Sequence, residues 1–201
     1  MGVFRLLATC LLLSLGACGQ DGPDAAPAEP DSVAADAAAT GNGDRQRAIK
    51  AATDSINGTR IANADSEPGN WLAHGRTYDE QRHSPLEQIN TASVTDLGLA
   101  WYWDTGTTRG LEATPIVVDG IMFSTGPWSV VWAHDARTGE LIWKYDPQVP
   151  KPYGKFACCD VVNRGVAAWQ GRVYVGTIDG RLIALDAASG KPGFWKRLVG
   201  H

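Results

Sequence analysis

An internal repeat, short β-rich runs divided by turn dipeptides, and a surplus of tryptophan predict an all-β chain of the β-propeller class. Sliding the sequence on itself by 51 residues places Gly120 on Gly171, Ala133 on Ala184, Asp135 on Asp186, Thr138 on Ser189 and Gly139 on Gly190. Trp143 then meets Phe194, with Trp195 one place further on; Pro192-Gly193 reads as one added residue that displaces the second docking tryptophan. A repeat of this length with four short strands is a propeller blade rather than a sandwich. The rival reading is one irregular all-β domain in which Asp-x-x-Thr-Gly is only a hairpin turn. With 8 Trp, 23 Gly and 11 Pro among 201 residues, 44% apolar and 20% charged, the composition is globular and excludes collagen-like and wholly disordered chains.

Residues 1–18 read as an export signal. Arg5 precedes an apolar run over 6–15 that is too short for a membrane-spanning helix, and small residues follow at Gly16 and Ala17. Leu15-Gly16-Ala17-Cys18 also looks like the lipobox of bacterial lipoproteins, which makes Cys18 the lipidation candidate; ordinary cleavage after Gly19 is the alternative. Residues 19–44 hold eight Ala, six acids and three Pro and no bulky aromatic, so they are expected to form a flexible spacer. From residue 45 the pattern changes. Ile49, Ala52, Ile56 and Ile61 predict a short amphipathic helix over about 45–64, interrupted at Asn57-Gly58, and 45–69 as a whole leads into the propeller.

The propeller part runs over 70–201. Runs at 114–118, 121–124, 130–134 and 141–145 are candidate strands, and the order recurs at 165–169, 172–176 and 181–185. Asp119-Gly120, Thr138-Gly139, Gln170-Gly171, Asp179-Gly180 and Ser189-Gly190 are the turns. In the repeated element Ala133-x-Asp135-x-x-Thr138-Gly139-x-x-x-Trp143, Asp and Thr cap a tight turn, Gly takes positive φ, and the indole docks between neighbouring blades. Trp101, Trp103, Trp128, Trp132 and Trp169 are assigned to the same inter-blade packing. About two and a half blades fit where closure needs at least ~4, so the sequence is expected to be the N-terminal part of a larger propeller. Alone it should be inactive and prone to aggregate through unpaired strand edges.

Charge excludes one class of partner. Residues 45–201 carry 17 Lys plus Arg against 16 Asp plus Glu, with no basic excess to drive nucleic-acid binding. His74, His83, His134 and His201 show no metal-ligand or acid–base spacing. The cysteines of the mature part are Cys158 and Cys159, which are adjacent. Bridging them closes a strained eight-membered ring, since neighbouring Cα atoms lie about 3.8 Å apart, below the usual disulfide span. Oxidation is the expected state in an exported protein; two free thiols, or bonds to other chains, are the alternatives. Adjacent cysteines chelate one zinc poorly.

Cys158-Cys159-Asp160-Val161-Val162-Asn163-Arg164-Gly165, preceded by Gly110-Leu111-Glu112-Ala113-Thr114-Pro115, resembles the quinoprotein alcohol dehydrogenases, eight-bladed propellers that use pyrroloquinoline quinone (PQQ). The stretch around Ser84-Pro85-Leu86 and Leu99-Ala100-Trp101 is similar too, and Ser129-Val130-Val131-Trp132 looks most like the quinohaemoprotein subgroup, which appends a cytochrome c domain. The resemblance implies a Cys158–Cys159 disulfide under one face of the quinone, with Glu112 and Arg164 contacting it; a guanidinium fork suits carboxylate and quinone oxygens. Asp160 and Asn163 then hold the turn beneath the ring. It further implies periplasmic oxidation of a primary alcohol, a cytochrome c-type acceptor and a calcium ion on the cofactor. The catalytic base and the calcium ligands would lie beyond residue 201. Two rivals share parts of the pattern: a lipid-anchored scaffold of the outer-membrane assembly type, which has no use for Cys158, Cys159, Glu112 or Arg164, and a quinoprotein acting on sugars or polyols, which generally lacks the adjacent cysteines.

Overall fold

The computed structural model describes residues 32–197. Cys18 and the rest of the signal lie outside them. Two four-stranded antiparallel sheets follow one another along the chain, each a simple meander. The first holds β1 (Ile116–Val118), β2 (Ile121–Thr125), β3 (Val131–Asp135) and β4 (Leu141–Tyr145); the second holds β5 (Ala167–Trp169), β6 (Arg172–Gly176), β7 (Arg181–Asp186) and β8 (Pro192–Arg197). These are the blades the repeat predicts. β8 was not singled out from the sequence, because Pro192 and Gly193 are poor strand formers.

The registers coincide down to the irregularities. Ala133 faces Trp143 and His134 faces Leu141, with a bulge between; Ala184 faces Phe194 and Leu185 faces Pro192, with a bulge at the same place. Pro192-Gly193 therefore inserts nothing: the residue passed over at the bulge is Ile142 in one blade and Gly193 in the other. The half-blade expected before residue 114 is not formed. Among the described residues of that stretch, Trp71 makes an isolated bridge to Val117 and there is no paired strand.

The tight turns follow from their residues. Asp119-Gly120 and Gln170-Gly171 both take consecutive positive φ values (47° and 84°, 45° and 75°), the geometry that suits the right-handed twist of a two-residue hairpin. At the repeated turn, Asp135 Oδ1 accepts from the Arg137 and Thr138 amides (2.9 and 3.0 Å), and Asp186 Oδ1 accepts from the Ser189 amide and hydroxyl (2.9 and 2.7 Å). Those hydrogen bonds, the Thr138 amide foremost, hold the Asp135 carboxyl below its ordinary pKa. Gly139 and Gly190 close the turns at φ 75° and 68°, and a Cβ on either would stand 2.6 Å from an indole, Trp101 in the first case and Trp143 in the second.

Trp143 leaves β4 to lie on the second blade's turn, where its Nε1 donates to Ala187 O at 2.9 Å. Trp101 does the same to the first blade, donating to Ala136 O at 3.1 Å. Trp103, Trp132 and Trp169 are placed differently. Trp132 packs over Gly126 of its own blade, Trp169 lies near Gly58, and Trp103 meets the edge of His134.

α1 spans Ser32–Asp54 and α2 spans Gly58–Ala62, separated at Asn57, whose side chain caps α2 by accepting from the Arg60 amide at 2.9 Å. The break was expected at that place. The start was not: helix covers residues 32–44 of the supposed spacer. That stretch contains five of the eight alanines and lacks the three prolines, so it has local helix propensity even without apolar surface to bury. Ile49 of α1 is fully buried. Ile49, Ile56 and Ile61 join one core with Ile116, Val118 and Phe123 of the first blade and Val173, Val175 and Ile183 of the second.

Candidate functional site

The two blades converge where β1 and β5 begin. Thr114 and Gly165 form a parallel bridge, and the Thr114 amide donates to Arg164 O at 3.2 Å. Gly165 is required there. Its φ is 127°, and a Cβ would stand 2.8 Å from Thr114 O. This contact lays the lead-in to β1 (109–115) beside the lead-in to β5 (157–165), and the sequence-predicted site residues sit on these two segments.

Arg164 Nη2 reaches Glu112 Oε2 at 3.0 Å, with both side chains open to solvent. Cys158 and Cys159 are exposed thiols whose Sγ atoms are 2.8 Å apart. The structure thus holds two close thiols, where the sequence led us to expect a bonded pair with a separation of about 2.0 Å. The hydrogen bond and charge of Cys158 push the Cys159 thiol above its ordinary pKa; Glu112 acts in the same direction and Arg164 against it. Both acidic and basic partners therefore lie within electrostatic reach of the Cys159 sulfur.

Asn163 is the local organiser. Its Nδ2 donates to Ser129 Oγ (3.1 Å) and Gly176 O (2.8 Å), and its Oδ1 accepts from the Gly165 amide (3.1 Å), so one side chain joins the cysteine segment to both blades. Asp160, at φ 71°, pairs with Arg109. These contacts tie the cysteine segment to Arg109, Ser129 and Gly176. Arg109 was missed, although a signal existed: it stands 51 residues before Asp160, the period of the repeat.

The arrangement is chemically suited to a flat, electron-poor, polycarboxylated ring. Two adjacent sulfurs offer a polarizable face, and an exposed guanidinium with a carboxylate at its side offers a donor and an acceptor at the rim. A residue set built only for packing would bury these groups; here all four are accessible. Cys158, Cys159, Glu112 and Arg164 therefore fit the quinone that the resemblance implies.

Comparison with known proteins agrees. Residues 71–194 match the family model described as PQQ: Glucose/ethanol/alcohol dehydrogenase, beta-propeller domain. The quinohemoprotein alcohol dehydrogenase ADH-IIG of Pseudomonas putida is 62% identical over 136 residues, covering 68% of this chain and 19% of that protein. The dehydrogenase subunit of the alcohol dehydrogenase (quinone) of Komagataeibacter europaeus is 58% identical over 134 residues, 67% of this chain and 18% of that one. The crystal structure of the quinohemoprotein alcohol dehydrogenase from Comamonas testosteroni superposes with a TM-score of 0.73 at 53% identity, covering 77% of this chain and 23% of that one. The chain thus spans about a fifth of the length of the relatives it matches. With well over half of its residues matched, it belongs to the PQQ glucose/ethanol/alcohol dehydrogenase β-propeller family.

Proposed function

We propose that this chain supplies one wall of the cofactor pocket in a PQQ-dependent alcohol dehydrogenase that oxidises primary alcohols to aldehydes and passes the electrons to a haem-bearing acceptor of the cytochrome c kind. The observation that carries the reading is the adjacent sulfur pair, 2.8 Å apart, exposed beside the Glu112–Arg164 ion pair. The relatives named for alcohol oxidation and for haem support the substrate class and the acceptor.

When bound, PQQ supplies a two-electron acceptor that the twenty side chains lack. This chain's residues provide position and electrostatics. Arg164 would donate to oxygens at the ring's polar edge, and Glu112, paired with it at 3.0 Å, would hold the guanidinium for that contact. Cys158 and Cys159 present a face without charge, so a polyanionic ring meets no repulsion there. In the periplasm we take the pair as oxidised: two thiols lose two protons and two electrons to the compartment's thiol oxidants and form one S–S bond, which stiffens the same face. Asn163 keeps that face in register with both blades. A calcium ion at the cofactor, with ligands and general base outside residues 1–201, completes the proposal, as does anchoring through a lipidated Cys18. No helix among the described residues is long and apolar enough to cross a membrane.

The test uses the full-length protein with calcium and PQQ. It should reduce an artificial dye with ethanol. Cys158→Ala combined with Cys159→Ala should lose about tenfold or more of kcat with an unchanged circular-dichroism spectrum. Full turnover in that variant overturns the role of the pair, and free thiols by mass spectrometry of the exported protein overturn the disulfide.

A further inference from the structure

Beside the cysteine segment, but lined by none of Glu112, Cys158, Cys159 or Arg164, lies an open groove of about 570 Å³. Three cations border it, Arg109, Lys151 and Lys155, against one carboxylate, Asp160, which pairs with Arg109. Lys151 Nζ sits 3.9 Å from the centre of the Trp128 ring, and the Arg109 guanidinium is 5.8 Å from the same ring. Lys155 lies over Phe156. Neither lysine pairs with a carboxylate among the described residues, so two positive charges on this wall are uncompensated.

The indole is held rather than loose. Trp128 and Ser129 take consecutive positive φ values of 61° and 62°, a conformation that costs energy in non-glycine residues and persists only where the surroundings impose it. The Trp128 amide donates to Val161 O at 2.8 Å, and a Cβ on Gly154 would approach its ring to 3.0 Å. A rigid aromatic wall with ammonium and guanidinium groups around it, and Val161 beside it, combines an apolar surface with charge of one sign. The folded part as a whole has no basic excess, 17 bases against 16 acids over 45–201. The charge is therefore local, and it suits a small ligand rather than a polyanion.

We propose that this groove binds a small planar organic carboxylate, at a place separate from the quinone wall. The carboxylate lies between Lys151 and Lys155, and the flat body of the ligand rests against Trp128 and Val161. This does not depend on the catalytic reading of the cysteine pair. Full-length holoprotein, with the quinone site already filled, is titrated calorimetrically with benzoate, with benzamide as its neutral isostere and with inorganic phosphate. Saturable benzoate binding is expected, weakened about tenfold in Lys151→Met and in Lys155→Met and weakened by added salt. Benzamide should not saturate, and phosphate should bind more weakly than benzoate. Absence of saturable benzoate binding, equal affinity in both lysine variants, or equal affinity for benzamide overturns the site. Tighter binding of phosphate overturns the organic carboxylate as its ligand.

Discussion

His134 is the side chain whose environment departs furthest from its chemistry. It is 1% exposed, stacked by Trp101 at 6.3 Å and met edge-on by Trp103 at 5.0 Å, and neither ring nitrogen has a hydrogen-bond partner among the described residues. The cavity it faces, of about 290 Å³, is lined without a charged side chain. Burial lowers its pKa from the ordinary value of about 6.5. The folded state therefore favours the neutral ring, while the unfolded chain takes up a proton near pH 6.5. The stability held above that pH is lost as pH falls toward the depressed value, with a slope of at most ~1.4 kcal/mol per pH unit for one proton. Melting of the full-length protein at pH 7.5 and pH 5.5 should show His134→Leu losing less Tm than the natural chain. An equal loss in both would show that the ring does not titrate on unfolding. Nothing in the sequence marked His134, because its lack of partners arises only when residues 101–103 fold over β3.

At the scale of the element, the repeat was the most legible feature. Asp-Gly and Gln-Gly turns, the Asp135 and Asp186 caps and the approximate positions of β1 to β7 follow from local chemistry, which a single sequence displays, while β8 was not singled out. The equivalence of Trp143 with Phe194 was legible too, but the bulge that makes Pro192-Gly193 ordinary was not, since a bulge is a property of two paired strands. The docking of Trp143 on the next blade gives a graded test. Trp143→Phe keeps most of the apolar contact over Gly190 and loses the hydrogen bond to Ala187 O, at a cost of about 1 kcal/mol. Trp143→Ala removes the contact as well, at about 3–5 kcal/mol. Denaturant titration distinguishes the two. Equal losses would mean that the hydrogen bond, rather than the packed ring, joins the blades. Of the candidate site, Cys158, Cys159 and Arg164 are close in sequence and could be singled out together, whereas Glu112 lies on another segment and was reached only through the family resemblance. Arg109, Trp128 and Lys151 come from three separate segments, and their meeting depends on how the blades converge.

At the scale of the molecule, the N-terminal helices act as a clasp across the repeat. The Ile56 carbonyl, just past the end of α1, accepts from the Gln170 amide of the β5–β6 turn at 3.1 Å, and the Thr53 carbonyl, which also takes the Ile56 amide, accepts from the Gly171 amide at 3.0 Å. The equivalent turn of the first blade is held by Arg60, which bridges Glu67 (2.7 Å) and Asp119 (3.0 Å). One helix end and one guanidinium thus hold the same hairpin twice, once in each blade. Ile49 and Ile56, both fully buried, fill the space behind them. Ile56→Ala should cost about 2–5 kcal/mol, as other large-to-small changes in a core do. Its signature should be regional. Amide exchange at Gln170 and Gly171 should speed up first, because the Ile56 carbonyl that takes the Gln170 amide moves with residue 56, and the Thr53 carbonyl that takes the Gly171 amide is held by the Ile56 amide. The β1–β2 turn, tied separately by Arg60, should follow only to the extent that the core transmits the loss. Arg60→Met should reverse that order, exposing the Asp119 turn while leaving Gln170 protected. Uniform acceleration over both blades in both variants would mean that the helices support the propeller through bulk burial alone, and that the paired attachment has no separate stabilising effect.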